Sequence, residues 1–337
     1  MPMTYEQVRR NARDKMTLCS SCNVCNGAAC GNRMPGPGCK GSGTVAKRNY
    51  DAWQDILLNL DTIGVEQQID TSISLWGQQF TYPVFAAPMG VVEPHFGQLY
   101  PQHEYDSILV RGCQSSGIAA FTADGLEPHY FLGGCDAIRK YGFGIPTIKP
   151  RSWEVVREKI DAAKERGVSV LCMDIDAAGL PFLKHTNPPS GRKTVEQLRE
   201  MIEYADIPFI LKGIMTVDGA RKALDAGADA IVVSNHGGRV LDSTPATAWV
   251  LNEIAEAVGK DMTILVDGGV RTGQDVFKAL ALGADAVLIG RPFASCIYGG
   301  GEEGIRAYVD QLGSELRDTM QMCGVNALSE ISMRNLW

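Results

Sequence analysis

The chain has 337 residues, 45% of them hydrophobic and 21% charged, with a formal net charge of −7. That is enough apolar material for one large domain with an extension, or for two ordinary domains. No block of lysine and arginine marks a nucleic-acid surface, and no apolar run approaches the roughly 18 residues of a membrane span. The charged N-terminus MPMTYEQVRRNARDK is not a secretory leader, so a soluble cytoplasmic protein is expected.

In chain order, the first 82 residues read as a helix (Thr4–Met16), a Cys/Gly loop, a second helix (Ala46–Leu58) and a short hairpin (Ile69–Phe80). They form an extension packed on the rest of the chain rather than an independent domain. From residue 83 to 337, short apolar runs alternate with amphipathic helical stretches such as SWEVVREKIDAAKERG and TVDGARKALDAGAD. The runs are Pro83–Ala87, Gly117–Phe121, Gly144–Ile148, Val168–Met173, Pro208–Leu211, Ala230–Val233, Thr263–Val266 and Ala286–Ile289. Thr, Ser and Asp open several of the helices, and Gly167, Gly227 and Gly283 close them. Near-continuous apolar strands alternating with helices form parallel sheets covered by helices. Eight such units predict a (β/α)8 barrel, with an open doubly wound sheet as the competitor. In a barrel the active site lies at the C-terminal ends of the strands.

Those ends carry polar chemistry. The fourth run ends MDID, and alternation along a strand puts Asp174 and Asp176 on one face, where one of them could pair with an imidazolium. Helix capping or a surface ion pair is the plainer reading. The fifth ends LKG, so Lys212 either snorkels to the rim or faces an anion. The sixth ends SNHGGRVLD. An imidazole suits a general base, so His236 is a candidate, although a histidine in a turn is often only a polar surface group. Arg239 suits a carboxylate held by two N–H groups, and Gly237 and Gly238 turn the chain tightly. The seventh and eighth end VDGGVR and IGRPF, where barrels commonly bind phosphate. Tight turns alone would also explain those glycines.

Ten cysteines occur, five of them between Cys19 and Cys39. Cys113, Cys135, Cys172, Cys296 and Cys323 read as small buried hydrophobes, since a chain of this size with no leader needs no disulfide framework. The segment CSSCNVCNGAAC spaces Cys19, Cys22, Cys25 and Cys30 as x2, x2 and x4. Four thiolates so spaced can hold an iron–sulfur cluster or zinc, although the ferredoxin run ends x3-Cys-Pro and this one does not. Packed or redox-active thiols are the alternative.

Taken together, LKGIMTVDGARKALDAGADAIVVSNHGGRVLDSTPAT and ILVDGGVRTGQDVFKALALGADAVLIGRPF strongly resemble the FMN-dependent α-hydroxy-acid oxidases and dehydrogenases. The likeness is dense from Phe209 to Phe293 and looser through FAAPMG, VLCMDID, RNYDAW and MCGVNALSEIS. The family is a (β/α)8 barrel that often forms tetramers, so a homo-oligomer is expected. The resemblance implies FMN as cofactor and a small L-2-hydroxy acid, lactate- or glycolate-like, as substrate. It makes His236 the base, as hydride passes to flavin N5 or as an α-proton is abstracted in a carbanion route. Asp174 would stabilise the imidazolium, Lys212 the N1/O2 edge of the flavin, and Arg239 the substrate carboxylate. Flavin would be held by Pro88, Met89, Gly90, Thr122, Lys212, Ser234 and His236, with Asp267, Gly268, Gly269, Arg271, Gly290 and Arg291 at its ribityl and phosphate end.

Three departures concern the substrate. The family's QLY tyrosine falls at Ile148 or Lys149, and its DTPRLGRR arginine falls at Pro181. Its N-terminal active-site tyrosine has no counterpart, because the Cys-rich loop occupies that region. Lys149, Lys184 and Arg192 are the candidates to replace the missing charge. Oxygen, a quinone and a carrier protein are all compatible with the sequence as electron acceptor. The alternatives are another FMN barrel, such as a type 2 isopentenyl diphosphate isomerase, or a non-enzymatic flavin electron-transfer or sensor module. A base beside a carboxylate-binding arginine favours the hydroxy acid.

Overall fold

A computed structural model of the chain describes residues 2–65, 67–187 and 190–337. Two short helices open it: α1 (Tyr5–Arg13), started by a capping box in which Thr4 and Gln7 satisfy each other's backbone N–H groups, and α2 (Val45–Gln54). Both are shorter than the apolar pattern suggests, and the loop between them holds residues 14–44. An antiparallel hairpin comes next, β1 (Ile73–Leu75) and β2 (Gln78–Phe80).

Eight parallel strands then alternate with helices: β3 (Val84–Ala86), α3 (Val92–Phe96), α4 (Gln102–Ser115), β4 (Phe121–Thr122), α5 (Pro128–Tyr141), β5 (Ile145–Ile148), α6 (Trp153–Glu165), β6 (Leu171–Asp174), α7 (Val195–Ala205), β7 (Phe209–Ile214), α8 (Val217–Asp225), β8 (Ala230–Val233), α9 (Thr247–Val258), β9 (Thr263–Val266), α10 (Gly273–Ala281), β10 (Ala286–Ile289) and α11 (Arg291–Met322). The strands neighbour one another in chain order from β4 to β10, β10 pairs with β3, and a parallel bridge between Ala86 and Ala120 closes the ring. This is the expected (β/α)8 barrel. Every residue of β3, β5, β6, β8 and β10 is buried, because helices cover one face and barrel packing fills the other. The second strand is only two residues long. Gly117 (φ +71°) still belongs to the turn that closes α4, so residues 117–119 only lead into it.

Two details place the site. Strand β7 runs past Lys212 and breaks register there, with Gly213 at φ +107°. A side chain at Gly213 would collide with Asp176, whose Cβ would be 2.5 Å away, so the missing side chain makes room for that carboxylate. Helix α2 docks over the strand ends. Asn49 and Asn235 exchange two amide hydrogen bonds of 2.8 and 2.9 Å, and Trp53 Nε1 donates to the Gly268 carbonyl at 2.7 Å. Among the described residues no helix is long and apolar enough to cross a membrane.

Candidate active site

The C-terminal ends of the strands surround a cavity that opens to solvent. Its floor is a charged chain of groups. Lys149, at the end of β5, pairs with Asp174 at 2.6 Å. Lys212, at 3.3 Å from each, bridges Asp174 and Asp267 and donates to Ser234 Oγ at 3.2 Å. Burial pushes the Asp174 pKa up, but Lys149 and Lys212 outweigh it and hold the carboxyl well below the usual range. Burial pulls Lys212 down, and Asp174 and Asp267 outweigh that, so the ammonium titrates above its ordinary value. Asp124 fixes Lys149 from behind, accepting its backbone N–H at 3.0 Å while also pairing with Lys159.

His236 sits just past β8 with a left-handed backbone (φ +55°), a conformation uncommon outside glycine. Its N–H donates to Ser234 Oγ at 3.0 Å, and its Nδ1 lies 2.9 Å from Asp176 Oδ1. Asp174 was the expected partner of the imidazole; the hydrogen-bonded carboxylate is Asp176. The physical reason is local: β6 stops at Asp174, and a 3-10 turn from Ile175 to Gly179 carries Asp176 across the bulge at Gly213. Strand alternation therefore does not apply to the pair. Asp174, Asp176 and His236 bring ligand atoms within 4.8 Å of one another, a spacing that suits a cation. Lys149 and Lys212 already supply positive charge there, so the group does not recommend itself as a metal site.

Arg239 lines the cavity, but its Nη1 donates to the carbonyls of Gly36 and Gly38 in the Cys-rich loop. Its pKa is pushed down to about 10 by burial and by Arg291. His95, from α3, joins the site without any sign of it in the sequence. Its Nδ1 accepts the Gly36 N–H at 3.0 Å, which leaves the ring proton on Nε2. Burial and Arg239 push its pKa down to about 4, so it is neutral at pH 7. Its Nε2 stands 3.4 Å from Arg239 Nη2. Two donors cannot bond each other, so an oxygen anion between them would satisfy both.

Most expected flavin contacts do line the cavity: Pro88, Met89, Gly90, Lys212, His236, Asp267, Gly268, Gly269, Arg271, Gly290 and Arg291. Two do not. Ser234 is fully buried and spent on Lys212 and the His236 N–H. Thr122 is turned toward α5, with its Oγ1 2.4 Å from where a Gly134 side chain would start. Lys184 and Arg192 are exposed and stand outside the lining, whereas Lys149 is part of it. The two glycines after His236 differ. Gly237 has open space on its side-chain side, while a Cβ at Gly238 would be 2.7 Å from Val45 Cβ and 3.1 Å from Cys39 Sγ. Asp242 accepts from the Ser42 N–H and hydroxyl at 2.7 and 2.9 Å. The turn thus anchors the Cys/Gly loop as well as facing the cavity.

The model of the family described as FMN-dependent dehydrogenase matches residues 37–186 and 183–337. The chain belongs to this family. Among curated relatives, the peroxisomal (S)-2-hydroxyacid oxidase GLO3 of Arabidopsis thaliana is 46% identical over 86% of this chain and 86% of its own. The L-lactate dehydrogenase of Pseudomonas aeruginosa (strain LESB58) is 43% identical over 44% of this chain and 39% of its own. Among solved structures, a putative lactate oxidase of Pediococcus acidilactici superposes with a TM-score of 0.81 at 25% identity, covering 99% of this chain and 94% of that one.

The cavity of this FMN-dependent dehydrogenase fits the flavin on its own chemistry. Gly268 and Gly269 (φ +89° and +90°) turn the chain after β9 and let Asn49 and Trp53 of α2 approach, while Gly290 keeps the wall low after β10, and Arg271 and Arg291 offer positive charge there. Asp267 Oδ1 is buried without a hydrogen-bond partner, an acceptor for a sugar hydroxyl. Lys212 places a fixed ammonium at the cavity floor.

Proposed function

We propose that this FMN-dependent dehydrogenase oxidises a small L-2-hydroxy acid to the 2-oxo acid. The observation that carries the reading is the His236–Asp176 pair facing Arg239 and Lys149 across one cavity. Asp176 holds a proton on Nδ1 of the imidazole, so Nε2 is the nitrogen that would accept one from the substrate. It takes the hydroxyl proton as hydride leaves Cα, or the α-proton in the carbanion route. The imidazolium that forms is stabilised by Asp176. FMN, when bound, accepts the two electrons; Lys212 supplies positive charge for the anionic reduced ring.

The substrate carboxylate is held by Arg239 and the His95 Nε2–H, with Lys149 as the second cation. Phe96, Leu180 and Phe182 line the cavity and leave space for an apolar substituent on the acid. Anaerobic mixing with a panel of L-2-hydroxy acids should bleach the oxidised flavin band with at least one of them. Retained flavin that no acid bleaches would overturn the assignment.

Lys149→Ala tests the substitute cation. It is expected to raise KM about 10- to 100-fold, the worth of one charge-assisted hydrogen bond, with flavin content unchanged. Unaltered kcat/KM for every accepted acid would remove Lys149 from substrate binding.

A further inference from the structure

The four cysteines from Cys19 to Cys30 have no task in the oxidation of the hydroxy acid itself, yet their part of the loop is built as a site. Cys19, Cys22, Cys25 and Cys30 all line one small cavity together with Arg9 and Arg291. None is in a disulfide. Arginines bonded to its carbonyls pin the loop around that cavity. Arg13 Nε donates to Ser21 at 3.2 Å, Arg9 Nη1 to Cys22 at 3.3 Å, and Arg271 Nε to Cys25 at 2.7 Å. Four thiols converging on a space ringed by guanidinium groups are arranged for an anionic, thiolate-bound centre.

The spacing of the sulfurs separates the candidate metals. Among the described residues no three of these sulfurs lie within 4.8 Å of one another. Tetrahedral zinc with four thiolates at about 2.3 Å would bring all of its sulfurs to about 3.8 Å apart, within that limit. A polynuclear iron–sulfur core stands between its thiolates and holds them farther apart. It also needs the tripod that Cys-x2-Cys-x2-Cys supplies, with the fourth ligand coming from Cys30 in the same loop. An oxidised four-iron cluster with four thiolates carries a net charge of about −2, which Arg9, Arg271 and Arg291 offset.

We propose that Cys19, Cys22, Cys25 and Cys30 ligate a [4Fe–4S] cluster that carries electrons away from the reduced flavin. Arg291 lines both this cavity and the flavin cavity, so the two are neighbours. The outer side of the loop reaches solvent at Asn23, Val24, Ala28 and Ala29. The relay rests on the hydroxy-acid reading. Each substrate oxidised releases two electrons and two protons. The electrons cross the cluster one at a time and reduce two equivalents of a small one-electron carrier protein, while the protons leave to solvent.

The test uses full-length protein purified without oxygen and supplied with iron and sulfide. About four irons and four acid-labile sulfides per chain are expected, with an electron paramagnetic resonance signal after dithionite. Cys22→Ser and Cys25→Ala should each lose the iron and keep the FMN, while Cys323→Ser keeps both. Absence of iron, a single bound zinc, or iron that persists in both loop variants would overturn the site. A hydroxy acid that bleaches the flavin should also raise the cluster signal. If dithionite raises it and that acid does not, the relay is overturned and the cluster stands. If no acid bleaches the flavin, the hydroxy-acid reading fails, and the iron and sulfide counts still decide the cluster.

Discussion

Replacing His236 with asparagine is expected to lower kcat about 10³-fold with flavin content unchanged. The magnitude is the usual worth of a positioned general base. Asparagine retains a polar group beside Asp176 and tolerates the left-handed backbone at φ +55°, so the turn should survive. The rate of anaerobic flavin reduction at saturating hydroxy acid is the measurement, because it isolates the step before any electron acceptor. A loss below tenfold would remove His236 as the base. The same assay separates the two neighbouring carboxylates. Asp176→Asn leaves the imidazole without its fixed proton on Nδ1, and should cost nearly as much as His236→Asn. Asp174→Asn disturbs Lys149 and Lys212 instead, and should act mainly through substrate and flavin binding.

That division could not be read from the chain. Eight apolar runs at helical intervals are enough to give the barrel, because buried parallel strands need no particular partner to be recognisable. Lys212, His236 and Arg239 are legible because each lies at the end of such a run or just past it. Asp176 is ambiguous, since its direction depends on where β6 stops and on a register break at Gly213 in the next strand. The glycine of LKG is the only local sign of it. Ser234 departs from expectation for a similar reason: its hydroxyl turns inward to Lys212 and to the His236 N–H. His95 leaves no signal at all. It lies on a five-residue helix, and its role comes from Gly36 and Arg239, both far away in sequence.

The N-terminal region shows the same limit on a larger scale. Residues 36–42 reach the turn after β8 through Gly36, Gly38, Cys39, Lys40 and Ser42. No periodicity marks a loop that folds against glycines some 200 positions later. The close approach of Cys39 to Gly238 nonetheless explains why the second glycine of His-Gly-Gly-Arg has to be one. Arg239, the proposed anchor of the substrate carboxylate, is tied to the carbonyls of the same loop that carries the cysteines.

Lys212→Met should have the largest effect on stability. The ammonium is 3% exposed and is the shared counter-ion of Asp174 and Asp267. Methionine nearly fills the volume and removes the charge. Asp174 keeps Lys149, but Asp267 loses its ion-pair partner while remaining mostly buried. Removing one partner of a buried pair costs about 3–5 kcal/mol. For a chain of this length, with an unfolding entropy of roughly 0.7 kcal/mol/K, that corresponds to a fall in Tm of about 4–7 °C. The direction of the pH dependence follows from the two shifts. The depressed Asp174 pKa contributes stability above its unfolded value of about 4, lost as pH falls through the folded value. The raised Lys212 pKa contributes below its unfolded value of about 10.4, lost as pH rises through the folded one. Across the interval between about 4 and 10 the network is at full strength in the parent protein. In the variant, acid protonates carboxylates that no longer face Lys212 and relieves the penalty. The difference in Tm between the two proteins should therefore be widest near pH 7 and shrink toward pH 4. Both should be compared with FMN removed and again with FMN in excess, because bound ligand raises Tm by itself. A difference in Tm that stays constant with pH would show that the loss comes from packing rather than from the buried charges.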